Sequence, residues 1–176
     1  MIWRFFINPI MIFILRSPLH FLVSHSVLVL YVTGAKTGKQ YFIPVSFFEH
    51  SKGLLTCVTD KPNIWWRNLT SFDEIKILFK GKEILSRIST EPDDSDYIFP
   101  KLHALFSHSR LDGFFGGVGY KNGKPIEEDV IGATKRMVLI ELDFTESLIY
   151  RLLPWNIVLI KLMGMKKRVL NLFWVL

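Results

Sequence analysis

The sequence predicts a mainly β fold: a small barrel of about six antiparallel strands, with helices at both ends. Three observations predict it. Short runs rich in Val, Ile, Thr, Tyr and Phe recur between glycine-bearing turns, as in 27–33 (VLVLYVT) and 54–59 (LLTCVT). The connections between several of these runs are hairpin-short, which antiparallel strands permit and parallel strands do not. Both chain ends are apolar but interrupted by proline, glycine and basic residues.

The elements follow in order. Residues 3–15 read as a helix, kinked near Pro9. A short helix over 18–24 starts after Ser17 as N-cap, with Pro18 at its first position. A strand is expected over 27–33, a turn over 34–39, and a second strand over 40–50, in which Pro44 marks a bulge or an edge. Ser51-Lys52-Gly53 turns the chain into a strand over 54–59. Asn63 is placed to cap a short helix over 64–69. Strands over 73–79 and 83–89 flank Gly81, and acidic residues before 95–107 suit the start of a helix there. The glycine-rich stretch 111–125 reads as a loop, 136–144 as the last strand, and Thr145 or Ser147 as the start of a terminal helix. Hairpin-linked strands favour a barrel over a parallel sheet.

The 176 residues suit one domain over 1–176, with a helical segment at 1–24 and a helix over 145–176. Hydrophobic residues reach 49% and aromatics 14%, more apolar surface than one core consumes. The net charge of +6 favours anionic partners. Nucleic acid is not among the expected ones: the basic residues are scattered, and only Lys166-Lys167-Arg168 cluster. The lone Cys57 excludes an internal disulfide, no Cys/His spacing forms a zinc site, and the setting expected is reducing and cytoplasmic. Neither end has the roughly 20 unbroken apolar residues of a membrane span. Both could instead lie in a membrane interface at the inner face, with Trp3, Trp155 and Trp174 at headgroup depth, or pack on the barrel as helices.

Two stretches carry chemistry. In "TGAKTGKQYFIPV" (33–45), two glycines and two lysines crowd one turn between strands. Solvated lysines on a tight turn account for it most simply. The functional reading is an anion site: glycines allow close backbone approach, N–H groups converge, Thr37 adds a hydroxyl, and Lys36 and Lys39 add charge. It is not a P-loop, because a strand follows where that motif needs a helix. In "CVTDKPNIWWRNL" (57–69), a strand end and a proline turn lead to a helix bearing Trp65, Trp66, Arg67 and Asn68. One indole of such a pair is core, since helical neighbours point about 100° apart. The other could form a wall beside a flat ring, with Arg67 or Asn68 reaching polar substituents.

Taken in order, "LRSPLHFLVS", "TGAKTGKQYFIPV" and "WWRNL" resemble the deazaflavin-dependent nitroreductase family, also described as nitroreductase/quinone reductases. The resemblance covers roughly 8–90. It implies a split β-barrel related to flavin-binding barrels, coenzyme F-420 as cofactor with FMN as the alternative, and hydride transfer to a quinone, nitro compound or similar hydrophobic acceptor. Several members of that family are membrane-associated. Carried over by motif, Lys36, Thr37, Gly38 and Lys39 match the turn for the cofactor's phosphate-containing tail. Thr59, Asp60 and Lys61 fall where the family's loop passes the ring, and Trp65, Trp66 and Asn68 match the wall after it. Gln40-Tyr41-Phe42 stands where the family often has an arginine, and Asp60 would set a carboxylate at an anionic ring edge. A non-catalytic cofactor- or lipid-binding protein on the same barrel is the other function expected. Hydride chemistry belongs to the cofactor, so no catalytic triad is required. Candidates for the proton donor are Tyr41, Tyr120, His103 and His108, and the 111–125 loop is a candidate lid.

Overall fold

The computed structural model describes residues 8–145. Helix α1 (Asn8–Arg16) leads into a 3-10 helix (Pro18–Leu22). Ser17 caps the latter as its sequence predicts, its Oγ accepting from the Leu19 N–H at 3.1 Å. There follow β1 (Val27–Thr33), β2 (Gln40–Ser46), β3 (Phe48–Ser51), β4 (Leu54–Asp60), a second 3-10 helix (Ile64–Ser71), β5 (Glu74–Phe79) and β6 (Lys82–Glu91). Then come α2 (Ser95–His108), α3 (Arg110–Phe115), β7 (Tyr120–Lys121), β8 (Lys124–Pro125), α4 (Glu127–Arg136) and β9 (Met137–Asp143).

Seven strands form one sheet in the order β2-β1-β5-β6-β9-β4-β3, and every pairing is antiparallel. The two edge strands, β2 and β3, are consecutive in the chain and separated by Phe47 alone. Six gaps of ~4.8 Å would hold the edges of a flat sheet about 29 Å apart, whereas two residue steps reach only about 7 Å. The sheet therefore curls into a half-barrel whose edges approach at Phe47. That residue is buried, and its N–H donates to the Ser26 carbonyl at 3.0 Å.

The interior follows from the two-residue period of a strand. Leu28, Leu30 and Val32 of β1, Leu55 and Cys57 of β4, Ile75, Ile77 and Phe79 of β5, and Val138, Ile140 and Leu142 of β9 form one buried cluster. Alternate residues of β1 and β9, with Leu78 of β5, face outward and are covered by helices. Leu15 of α1 packs with Val29, Tyr31 and Leu78. Residues of α2 and α4, including Leu102, Leu105, Phe106 and Val130, pack with Met137 and Leu139. Strands buried on both faces read as continuous apolar runs, which is why VLVLYVT and MVLIELD stand out in the sequence.

The antiparallel half-barrel is as expected, with seven strands in the main sheet against about six, and a separate β7–β8 hairpin adds two more. Three expectations are corrected. The run 40–50 is two strands on opposite edges of the sheet, not one; Pro44 does lie on an edge strand. The stretch 111–125 is not a loop. Ser109 caps α3 through its Oγ, which accepts from the Asp112 N–H at 3.2 Å, and Asn122-Gly123, both at positive φ, turn the β7–β8 hairpin. Asn63 does not cap its helix with its side chain; its Nδ2 donates to Thr59 Oγ1 at 3.2 Å instead. The readings at 3–7 and at 146–176, including the terminal helix, lie outside the described residues.

Candidate functional site

The β1–β2 turn is an exposed elbow: Ala35 to Lys39 are all open to solvent. Gly38 sits at φ +64°, a conformation that a side-chain-bearing residue rarely takes. Gly34 is buried beneath the turn, and a Cβ there would come within 2.9 Å of Thr37 Oγ1.

The elbow's N–H groups do not converge on an outside anion, as the sequence suggests they would. The Gly34 N–H donates to the Lys39 carbonyl at 2.8 Å, and those of Thr37 and Gly38 to the Gly34 carbonyl at 3.2 and 2.8 Å. The Lys39 N–H donates to Thr37 Oγ1 at 3.3 Å. The Ala35 N–H donates to Asn68 Oδ1 at 3.0 Å. Lys36 alone in this turn has an N–H with no partner among the described residues. What remains to meet an anion is that amide, the Thr37 hydroxyl and the ammonium groups of Lys36 and Lys39. Lys39 Nζ also lies 5.7 Å from the Tyr41 ring centroid.

The Asn68 contact joins the two motifs, which are 33 residues apart in the chain. Asn68 Nδ2 donates to the Trp65 carbonyl at 3.0 Å, so both ends of its amide are engaged with protein. Trp66 is core: it is buried with Leu69 in the barrel interior, and its Nε1–H donates to the Lys61 carbonyl at 3.2 Å. Trp65 is half-buried and is the indole with free area. Arg67 is exposed, its guanidinium 5.6 Å from the Trp66 ring.

At the end of β4, Thr59 is buried on the interior face and accepts from Asn63. Asp60 is the next residue and so faces the other side of the sheet. Its Oδ1 is buried without a hydrogen bond, 3.6 Å from Arg136 Nε. Arg136 also donates to the Gly116 carbonyl and lies against Gly117, which is at φ +66°. Lys61 pairs with Asp93 at 3.1 Å, and its N–H donates to the Arg136 carbonyl at 2.9 Å.

Arg136 is the residue that sequence reasoning missed here. It reaches Asp60 only because β9 pairs with β4 in a register that sets Met137 opposite Asp60. Its guanidinium offsets the carboxylate that made the strand end look unfavourable to an anionic ring.

The proton-donor candidates are dispersed. Tyr41 is partly exposed beside the elbow. The Tyr120 hydroxyl is engaged with the Phe106 carbonyl at 2.8 Å and the Ser109 carbonyl at 3.3 Å. Burial chiefly, then the nearby Asp112, raises the Tyr120 pKa against the pull of Arg110, making it a weaker acid. On α2, the His103 ring lies near Phe99 and the His108 ring near Phe48. Among the described residues, no group of three or more His, Cys, Asp or Glu could hold a metal. No helix there is long and apolar enough to cross a membrane.

The elbow's donor set fits an anionic tail such as that of FMN or coenzyme F-420: one free amide, one hydroxyl and two ammonium groups, with no carboxylate in the turn. No protein-family model matches the sequence, and no curated protein matches it. Among solved structures, the chain is similar to a pyridoxamine 5'-phosphate oxidase-related, FMN-binding protein from Nostoc punctiforme, at 17% identity and a TM-score of 0.48, over 80% of this chain and 79% of that one. It is also similar to a candidate 5-nitroimidazole antibiotic resistance protein from Bacteroides thetaiotaomicron, at 10% identity and a TM-score of 0.47, over 70% and 76% of the two chains. An F420-H2 dependent reductase is similar at 13% identity and a TM-score of 0.40, over 66% and 93%.

Proposed function

We propose that this protein is an oxidoreductase that passes a hydride from a reduced deazaflavin (coenzyme F-420) or FMN to a hydrophobic acceptor such as a quinone or nitro compound. The reading rests on one observation above the others: the hydrogen bond from the Ala35 N–H to Asn68 Oδ1 brings the basic elbow and the indole-bearing helix into contact. Two motifs that are each weak alone are thus joined by a direct bond.

In this reading Lys36, Thr37, Gly38 and Lys39 hold the cofactor's anionic end, and Trp65 walls its ring. Thr59, Asp60 and Lys61 form the strand end that the ring passes, with Arg136 offsetting the Asp60 charge. When bound, the cofactor supplies the hydride. The acceptor's proton comes from Tyr41 or from solvent, since the Tyr120 hydroxyl is already committed to two carbonyls.

The test is direct. Purified protein is mixed with F-420 or FMN reduced beforehand, and menadione or a nitroaromatic is added under argon. Protein-dependent reoxidation of the cofactor, faster than the uncatalysed rate, supports the proposal. Reoxidation at the uncatalysed rate with every acceptor contradicts it.

A non-catalytic protein that docks on a membrane surface is the second reading, and one observation favours it. Ile10, Phe13, Phe21 and Leu22 lie exposed along α1 and the adjoining 3-10 helix, Phe13 at 74%. Exposed apolar residues of this size in a row mark an interaction surface. Co-sedimentation with vesicles containing anionic lipid, lost on Phe13→Ser with Phe21→Ser, supports this reading, and absence of sedimentation removes it.

A further inference from the structure

We infer that Asn68 is a positioning residue for the elbow. The inference rests on the proposed cofactor site and refines it. The carboxamide of Asn68 has an oxygen with two lone pairs and a nitrogen with two N–H donors. The oxygen takes the Ala35 N–H at 3.0 Å, and the nitrogen donates to the Trp65 carbonyl at 3.0 Å. These two bonds hold the amide in one orientation between the turn and the helix.

The consequence lies in the turn. Gly34, Thr37, Gly38 and Lys39 bond their N–H groups within the turn itself, and Asn68 takes that of Ala35. Lys36 N–H is the one left. An exposed amide next to two ammonium groups and a hydroxyl is a donor set for one oxyanion, a phosphate monoester or diester. It is smaller than a P-loop nest, in which successive amides share the anion. Asn68 holds this set in register with Trp65, because one side chain bonds both segments. Binding of the anionic tail and binding of the ring are then coupled through Asn68.

The coupling can be read from a pair of ligands that differ only in the phosphate. FMN and riboflavin share a ring, and riboflavin lacks the anion. The ratio of their dissociation constants measures the elbow's contribution alone. The experiment titrates wild type, Asn68→Ala, Lys36→Ala/Lys39→Ala and the triple variant with both ligands, and repeats the set with F-420 and its tail-less ring. Thermal melting of each variant is recorded alongside.

In wild type the phosphate-bearing ligand is expected to bind at least tenfold tighter. Asn68→Ala should cut that preference to threefold or less. In the Lys36→Ala/Lys39→Ala background, Asn68→Ala should change the ratio by less than it does in wild type, because the two charged members of the set it positions are gone. A general loss of fold would weaken both ligands together and leave the ratio intact, so an unchanged ratio in Asn68→Ala overturns the inference even if its melting temperature falls. If wild type binds FMN or F-420 with the expected preference and Asn68→Ala keeps it, this inference fails and the proposed function stands. If wild type binds none of the four ligands, the proposed function fails and the inference with it.

Discussion

The Tyr120 hydroxyl donates to the Phe106 carbonyl at 2.8 Å while lying against the bare Cα of Gly113; a Cβ there would stand 1.9 Å from the phenolic oxygen. The relationship fixes α3 and the β7–β8 hairpin against α2, and it gives the first prediction. Gly113→Ala forces the Tyr120 ring out of its place and breaks the bond. Overpacking of this kind costs about 1–3 kcal/mol. Tyr120→Phe keeps the ring and loses only the hydrogen bond, for about 1 kcal/mol. Urea unfolding of both variants checks the order: Gly113→Ala should be the less stable of the two.

Arg136 gives the second prediction. Arg136→Met removes the cation beside the buried Asp60 Oδ1 and the donor to the Gly116 carbonyl. The ion pair itself is half-exposed and worth ~1 kcal/mol or less, but the carbonyl of the buried Gly116 loses its donor, at about 1–3 kcal/mol. Because Asp60→Asn and Arg136→Met remove the same ion pair, the double change should be less destabilised than the two single changes added together. Denaturant midpoints of the four proteins measure this.

The third concerns pH. His50 is held below its ordinary value near 6.5, first by burial and then by the Lys101 ammonium, against the opposite pull of Glu141. The unfolded chain therefore takes up a proton before the folded one as pH falls. Stability from this site is complete above about pH 6.5 and declines as pH drops towards the folded pKa. Asp143 behaves alike at lower pH: hydrogen bonds from the Thr145 hydroxyl and N–H hold its carboxyl below the usual aspartate range, so its contribution is present above about pH 3.9 and is lost below. Melting temperature measured from pH 8 to pH 3 should fall in these two steps. His50→Gln should flatten the upper one and leave the lower.

How much of this was legible in the sequence depends on the range of the interaction. Strands β1, β4, β5, β6 and β9 announce themselves because each alternates buried and facing residues or is apolar throughout. The Ser17 cap and the elbow are local chemistry and are equally readable. The change of edge at Phe47 is not, because no glycine, proline or polar cluster marks it; closure of the half-barrel imposes it. In 111–125 the glycines masked a Ser109 cap and an Asn-Gly hairpin signal that were both present. The helix α4, assigned no element from sequence, has acidic residues in its first turn and basic ones in its last.

The site divides in the same way. The elbow and the indole pair were visible as motifs, and which indole is core followed from helical geometry in principle only. Their junction through Asn68, and the arrival of Arg136 at Asp60, depend on pairing between distant strands. No local pattern encodes either.

The central claim is that the elbow grips the anionic end of a planar redox cofactor, and an equilibrium titration tests it most directly. Wild type and Lys36→Ala/Lys39→Ala are titrated with F-420 and with FMN, following ligand fluorescence, at two salt concentrations. The expected result is saturable binding of at least one of them by wild type, weakened by salt and at least tenfold weaker in the double variant, with both proteins melting at the same temperature because exposed turn lysines add little to folding. Binding of neither ligand by wild type, or equal binding by the double variant, would contradict it.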